Sequence, residues 1–309
     1  MRTPIIIGHR GASGYLPQHT LEAYALAARQ GADIIEPDIV SSRDGVLISR
    51  HENELSLTTD VASRPEFADR RTTRRIDGQD VTGWFTEDFT LAELKSLNVT
   101  GGGKIATLEE ILDLVQDLSR ETGRVIGIEP ETKHPSHFDS LGLSLEEPLV
   151  EALHRRGYRG PDAPVFIQSF EVGNLRELNR MTDLRLVQLV DTEGAPADGG
   201  KPYAEMVTPA GLAEVATYAD AVAPCKDMIV SPTGVPTTLV ADAHQQGLLV
   251  HSWTFRAENE HLPEPLRRPG PLGDLTSEVR RFLDVGVDGI FANHPDLAVA
   301  ARDAYLQAR

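Results

Sequence analysis

The segment IIIGHRG, residues 5–11, joins a run of isoleucines to a histidine and an arginine. A short run rich in β-branched residues that stops at polar ones predicts a buried strand. Residues 20–30 then show apolar positions at helical spacing and stop at Gly31, a common end of a helix. IIEPDIV, residues 34–40, predicts a second strand. This order of strand, helix and strand indicates βα units and a parallel sheet.

The same alternation continues to the end of the chain. A length of 309 residues suits one TIM (β/α)₈ barrel, and we expect a single domain over residues 1–309. Further strands are predicted at 124–128, 164–168, 184–190, 220–222, 248–252 and 287–291. Further helices are predicted at 108–118, 145–156, 172–180, 204–218, 236–246 and 277–285.

One stretch, approximately residues 52–104, breaks this pattern. It carries two arginine pairs, the pair Trp84-Phe85 and three consecutive glycines, and it is too long for a simple barrel loop. We therefore predict an insertion after the second strand that forms a small cap over the mouth of the barrel.

The composition excludes several classes of function. Thirty basic and 47 acidic side chains give a formal net charge of −17, and without a basic run this charge disfavours nucleic acid and anionic lipid as partners. A single cysteine, Cys225, excludes an intramolecular disulfide and a cysteine-based metal site. No apolar run approaches the length of a membrane span, and the apolar stretch at residues 4–8 is too short for the apolar region of a signal peptide. The chain as given is expected to be cytoplasmic, or exported if a signal was removed; its oligomeric state is not predicted.

Three acidic residues are candidate metal ligands. Glu36 and Asp38 share one face of the second strand because strand side chains alternate, and Glu131 follows the third strand. Active sites of such barrels lie at the carboxyl ends of the strands. Three converging carboxylates are costly to ionise without a cation, and all-oxygen ligation suits Ca²⁺ or Mg²⁺. The alternative is that Glu36 pairs with Arg10 while Asp38 caps a loop; the convergence of three acids favours the metal.

Two histidines and two basic residues stand near these acids in the predicted barrel. His9 and His51 are candidates for proton transfer, because histidine titrates near neutral pH. Arg10 and Lys133 are candidates for binding a phosphate, arginine through two parallel hydrogen bonds and lysine as a point charge. Their alternative role is to neutralise the neighbouring acids.

Several motifs together resemble those of a known family. GHRGA (8–12), LPQHTLEA (16–23), GADIIEPD (31–38) and DGVLISRHE (44–52) resemble the opening signature of the glycerophosphodiester phosphodiesterases. TTDVA (58–62) and residues 127–135 are similar to the bacterial branch typified by exported, calcium-dependent enzymes. WTFR (253–256) and VDGIF (287–291) match the closing strands, so that the resemblance covers nearly the whole chain.

The resemblance implies a reaction and a role for each candidate residue. Glycerophosphodiesters would be hydrolysed to an alcohol and sn-glycerol 3-phosphate after the substrate's own glycerol hydroxyl attacks the phosphorus and forms a cyclic phosphate. The small-molecule diester would be the partner and a divalent metal the cofactor, with Ca²⁺ favoured over Mg²⁺. Glu36, Asp38 and Glu131 correspond to the metal ligands, His9 and His51 to the general acid and base, Arg10 and Lys133 to phosphate contacts, and the insertion to the family's cap.

Two positions depart from the family's pattern. Gln18 replaces a usual glutamate and Asn293 a frequent aspartate, so we expect altered positioning or pKa values at a less negative mouth. One polar and four aromatic residues are predicted to line the substrate pocket: Gln168, Trp84, Phe85, Trp253 and Phe255. For the four aromatic residues, packing in the cap and the barrel rim is an equally good interpretation.

Two other functions stay open at this stage. A phospholipase D-like enzyme acting on sphingolipids or lysolipids uses a related barrel, although residues 127–135, residues 253–256 and the long cap favour the glycerophosphodiesterase branch. A binding protein without turnover is the second alternative. The presence of both histidines and all three acids argues against it.

Overall fold

The structure, a computed structural model, describes residues 3–308. Its main sheet closes on itself, because the first strand (Ile5–His9) pairs in parallel with the segment Ile34–Glu36 on one side and with the last strand (Gly289–Ala292) on the other. The strand segments, β1 to β13 in chain order, are Ile5–His9, Ile34–Glu36, Asp38–Ser41, Leu47–Ser49, Thr72–Ile76, Gln79–Gly83, Gly127–Ile128, Glu131–Thr132, Phe166–Ser169, Arg185–Val190, Ala221–Pro224, Leu249–Phe255 and Gly289–Ala292.

Two of the eight barrel strands are each interrupted at a proline. Pro37 separates β2 from β3, and Pro130 lies between β7 and β8, because proline has no N–H to donate to a ladder. The parallel ladder nevertheless continues through both breaks, since the amide of Glu131 donates to the carbonyl of Pro37 (2.9 Å). β4 pairs antiparallel with β3 beyond the barrel wall. The eight-stranded parallel barrel predicted from the sequence is thus confirmed.

Helices cover the outside of the barrel. The α-helices α1 to α12 are Leu21–Arg29, Leu91–Ser96, Leu108–Thr122, Pro135–Ser140, Glu146–Arg155, Val172–Met181, Tyr203–Met206, Pro209–Val215, Lys226–Ile229, Leu239–Gln245, Leu275–Val285 and Pro295–Gln307. Short 3₁₀ turns lie at Val61–Ser63, Pro65–Arg70, Thr86–Asp88, Asn259–His261 and Glu264–Leu266. Within the described residues, no helix combines the length and the apolar character that a membrane crossing requires.

Local sequence explains where the helices begin and end. α3 begins with a capping box between Thr107 and Glu110, and it ends at Gly123, whose φ of 66° is a left-handed conformation that suits glycine. The single helix predicted over 204–218 is wrong. Pro209 disfavours a helical Thr208, whose side chain instead accepts from the amide of Gly211 and begins the separate helix α8.

The stretch after β4 folds into a compact unit that contacts the barrel. It contains the antiparallel hairpin β5–β6, which we call the cap hairpin, together with 3₁₀ turns and α2. Buried side chains such as Phe67, Trp84 and Leu94 belong to the same apolar cluster as Ile111 and Leu149 of the outer helices. The insertion therefore has no separate core, and packing against the barrel fixes its position.

Candidate active site

Three buried carboxylates meet at the carboxyl end of the barrel. Glu36 ends β2, and Asp38 of β3 lies opposite Glu131 of β8 in the parallel register. One oxygen of each carboxylate lies within 4.8 Å of one oxygen of the others. Glu36 and Asp38 flank the break at Pro37, and Glu131 follows the break at Pro130, and their three carboxylates reach one place.

The electrostatics of the cluster fit a divalent cation. Burial, followed by the charge of Asp38, raises the pKa of Glu36 well above its usual value, and burial raises that of Glu131 to about 7. Burial also opposes ionisation of Asp38, but the Arg10 guanidinium holds its pKa well below the usual range. The buried Oδ1 of Asp38 has no hydrogen-bond partner among residues 3–308. Because three acids cannot all ionise cheaply here, this oxygen-only cluster could hold a hard metal ion.

Arg10 is held in place by two carboxylates of the cluster, those of Glu36 and Asp38. Its backbone N–H donates to Glu36 Oε2 (2.8 Å), and its Nε lies 3.2 Å from Asp38 Oδ2. Nη1 donates to Gln18 Oε1 (2.9 Å), so the neutral residue at position 18 still orients the guanidinium. The φ of Arg10 is 56°, a left-handed conformation that these contacts stabilise.

His9 is oriented by the end of the last strand. Its Nδ1–H donates to Asn293 Oδ1 at 2.7 Å, which leaves Nε2 as the acceptor. Burial, and then the positive charge of Arg10, lower the pKa of His9 well below its usual value. One ring nitrogen of His9, Nε2, is therefore free to exchange a proton with a substrate in this orientation.

His51 lies between the carboxylate of Glu52 and the ammonium group of Lys133. Its Nδ1–H donates to Glu52 Oε1 (2.6 Å), and its Nε2 lies 3.3 Å from Nζ of Lys133, which also donates to Glu131 Oε1 (2.8 Å). Burial, and then Lys133, lower the pKa of His51. Glu52 in turn lies 3.5 Å from Nε2 of His134.

His134 connects this histidine site to the cap hairpin. Its Nδ1 lies 2.7 Å from Asp77 Oδ2 at the hairpin turn. Burial opposes a charge on His134, but its hydrogen bond to Asp77 and the nearby carboxylate of Glu52 raise its pKa to about 9. A protonated His134 therefore bridges the two acids and connects the cap to His51 through Glu52.

One cavity of about 310 Å³, the mouth cavity, collects most of the predicted residues. Gln168 lines it and donates to Glu36 Oε1 (3.2 Å), and Trp253 lines it with its indole N–H on the carbonyl of Ala223 (2.7 Å). Among the residues predicted from the sequence, the cavity wall includes both histidines, Arg10, Lys133, Glu36 and Glu131, while Asp38 lies behind it in the carboxylate cluster.

Three predicted pocket residues do not line this cavity. Trp84 is buried in the insertion, where its indole N–H donates to the carbonyl of Phe67 (2.6 Å). Phe85 is fully buried, and Phe255 packs edge-on against Phe282 at 4.8 Å on the outside of the barrel wall. The pocket assignment of these aromatics is therefore wrong, because their rings fill the core between the barrel and its outer layers.

Two further residues of the site had no role assigned from the sequence. Nε2 of His19 lies 2.9 Å from Asp38 Oδ2, its Nδ1 lies 2.9 Å from the hydroxyl of Tyr24, and burial lowers its pKa to about 3. A neutral His19 thus fixes Asp38 from behind. Arg256 lines the mouth cavity beside His9 and Arg10. Both residues belong to motifs that the sequence shows, His19 to LPQHTLEA and Arg256 to WTFR. A motif alone does not show which residues a side chain contacts.

The comparison with known families agrees with this geometry. A model described as "Glycerophosphoryl diester phosphodiesterase family" matches residues 9–297, most of the chain. The chain belongs to this family. A glycerophosphodiester phosphodiesterase of Arabidopsis thaliana is 38% identical, with 94% of this chain and 83% of that protein covered. One from Haemophilus influenzae is 31% identical, with 96% and 88% covered.

Solved structures of the family share the fold. A putative glycerophosphoryl diester phosphodiesterase from Silicibacter pomeroyi has a TM-score of 0.68 and 24% identity, with 98% of this chain and 94% of that one covered. A phosphodiesterase from Oleispira antarctica, solved with the product sn-glycerol-3-phosphate, has a TM-score of 0.65 and 20% identity, with 97% of each chain covered. Together with the sequence relatives, these findings confirm the predicted enzyme class, a glycerophosphodiester phosphodiesterase.

Proposed function

We propose that this phosphodiesterase releases sn-glycerol 3-phosphate in a Ca²⁺-dependent reaction that uses His9 and His51 as its proton carriers. The observation that carries the proposal is the mouth cavity itself, where two histidines, two cations and the carboxylate cluster share about 310 Å³. The product bound to the Oleispira antarctica phosphodiesterase supports the choice of product.

Glu36, Asp38 and Glu131 would hold the metal. When bound, it supplies positive charge that stabilises the negative charge developing on the phosphoryl oxygens. The preference for Ca²⁺ rests on the all-carboxylate donor set and on the resemblance to calcium-dependent enzymes.

The basic residues of the cavity would bind the phosphate. Arg10 is oriented by Gln18 and Asp38, so its guanidinium presents a fixed set of donors. Lys133 forms an ion pair with Glu131, and its Nζ lies 3.3 Å from Nε2 of His51. Arg256, on the same wall, adds a third positive charge near the anionic diester.

The two histidines would divide the proton transfers. One accepts the proton of the substrate's glycerol hydroxyl while its oxygen forms a new bond to phosphorus. The other donates a proton to the departing alcohol oxygen as its bond to phosphorus breaks. Water then opens the cyclic phosphate with the roles reversed, which returns both histidines to their starting states.

The test is release of sn-glycerol 3-phosphate from glycerophosphocholine, before and after chelation, with Ca²⁺ or Mg²⁺ added back separately. We expect Ca²⁺ to restore release. His9→Ala and His51→Ala each lower it by a factor of about 10² or more, the usual size of a general acid or base effect. His154→Ala is the matched control, because His154 lies on the outer helix α5 and bonds Thr182 instead. Full activity after complete chelation, or in both site variants, would refute the proposal.

A further inference from the structure

A second cavity, which we call the side cavity, opens beside the mouth cavity. Its volume is about 460 Å³, and it lies between the cap hairpin and the segments that follow β8, β9 and β10. The two cavities share four lining residues: Glu131, Lys133, Phe170 and Asp191. A diester whose phosphate sits in the mouth cavity can therefore extend its other ester group into the side cavity.

The side cavity is acidic, and two of its acids have no cationic partner within the described residues 3–308. Its cations, Lys133 and His134, are already paired, Lys133 with Glu131 and His134 with Asp77 and Glu52. Glu171 and Asp191 also line the side cavity, and neither makes an ion pair with any residue between 3 and 308. A surplus of negative charge thus remains on this wall.

Of these two acids, Glu171 has the surroundings that point more directly to a ligand. Only 3% of the residue is exposed, and its Oε2 accepts from the backbone N–H of Ser136 (3.1 Å). Its other oxygen, Oε1, is buried without a hydrogen-bond partner in the described part of the chain. Because an unpaired buried carboxylate oxygen is costly, this position favours a positively charged or donating group from a ligand.

Aromatic rings complete the wall beside these acids. Phe170 and Tyr203 both line the side cavity, with ring centroids 5.9 Å apart and a tilt of 64° between the rings. Aromatic faces attract ammonium groups, and Phe170 already has the ammonium of Lys133 at 5.6 Å from its centroid. Carboxylates beside aromatic rings form a suitable surface for an alkylammonium group.

We propose that the side cavity binds the leaving alcohol and selects a cationic amino alcohol, such as choline or ethanolamine, over a neutral one. This rests on the proposed function, because the shared wall at Glu131 and Lys133 is what joins the alcohol to the reacting phosphate. Glu171 and Asp191 determine the specificity by attracting the ammonium group, and Tyr203 and Phe170 contact its alkyl substituents.

The test compares kcat/KM for glycerophosphocholine with that for glycerophosphoglycerol, whose leaving alcohol is neutral, through the glycerol 3-phosphate that both release. We expect the wild type to favour the choline ester at least tenfold. Glu171→Gln and Asp191→Asn should each lower this ratio by a factor of about 3 to 10, since each removes one attraction to the cation. Glu193→Gln is the control: it changes the net charge equally, and Glu193 is exposed outside both cavities.

The outcomes separate this inference from the function on which it rests. Release of glycerol 3-phosphate from both esters with equal kcat/KM, or a ratio unchanged in both variants, would overturn the inference and leave the proposed function standing. No release from either ester with Ca²⁺ present would overturn both. Asp191→Asn keeps the test decisive if Glu171→Gln, which alters a buried contact to Ser136, fails to fold.

Discussion

Asn293 offers a direct way to change the pKa of His9 while His9 itself stays in place. Its neutral Oδ1 accepts the Nδ1–H of His9 at 2.7 Å. In Asn293→Asp the acceptor becomes a carboxylate of nearly the same shape. Hydrogen bonds to charged groups contribute about 1.5–3 kcal/mol against about 0.5–1.5 kcal/mol for neutral ones, a gain of about 1–1.5 kcal/mol. At 1.36 kcal/mol per unit, the pKa of His9 should rise by about one unit.

The sign follows from the charge. A carboxylate stabilises the imidazolium, so it opposes the lowering that burial and Arg10 produce in the pKa of His9. In saturating Ca²⁺, the limb of the kcat/KM profile that His9 sets should move about one pH unit upward. Movement of the acidic limb would make His9 the base, and movement of the alkaline limb the acid.

An exposed asparagine remote from His9 provides the control. Asn179→Asp makes the same charge change at an exposed position of α6 and should move neither limb. If Asn293→Asp folds and both limbs stay where they are in the wild type, His9 does not carry a proton in the rate-determining chemistry.

Three further predictions concern stability and the corrected pocket. Ca²⁺ at a hundred times its dissociation constant should raise the free energy of unfolding by about 2.7 kcal/mol. For a chain of 309 residues this is a Tm increase of about 4 °C by calorimetry, and Glu36→Gln should lose most of it. His134→Gln should lower the free energy of unfolding by about 1–2 kcal/mol below pH ~6.5, because the pKa of His134 in the folded protein is raised to about 9. The difference between variant and wild type should vanish as the pH rises through that value. Equal urea midpoints at low pH would contradict this prediction. Phe85→Leu should cost about 1–2 kcal/mol and leave KM unchanged, because Phe85 packs in the core.

Much of the barrel could be predicted from short apolar runs, but the third strand could not be placed well. Its predicted range, 124–128, ends before the acids, whereas the ladder extends from Gly127 to the amide of Lys133. The polar run Glu129-Pro130-Glu131 ended the prediction, because apolar periodicity stops there. In the barrel those side chains face its interior and mouth, so polarity there marks the site and not the end of the strand.

In the site, too, local sequence patterns predict some residues, whereas others depend on tertiary contacts. Period-two alternation and strand ends were enough to place Glu36 and Asp38 in one cluster with Glu131. The contact of His19 with Asp38 depends on how a loop folds behind the strand, which no local pattern states. The side cavity depends on where the cap hairpin docks, because His134 contacts the turn residue Asp77 across a long sequence separation.

The aromatic residues show why composition alone misled. Trp84 and Trp253 look equivalent in the sequence, yet only Trp253 lines the mouth cavity. Large apolar rings stabilise a core as readily as they line a pocket, and the difference is decided by which neighbours surround them.

The most direct test of the account is the dependence of glycerol 3-phosphate release on free Ca²⁺, compared between the wild type and Glu131→Gln. Removing one of three clustered carboxylates should raise the Ca²⁺ concentration for half-maximal activity at least tenfold, a loss of about 1.4 kcal/mol or more in metal binding. The exposed-acid variant Glu193→Gln should superimpose on the wild type. An unchanged Ca²⁺ dependence in Glu131→Gln would show that the metal supporting turnover is not bound by this cluster.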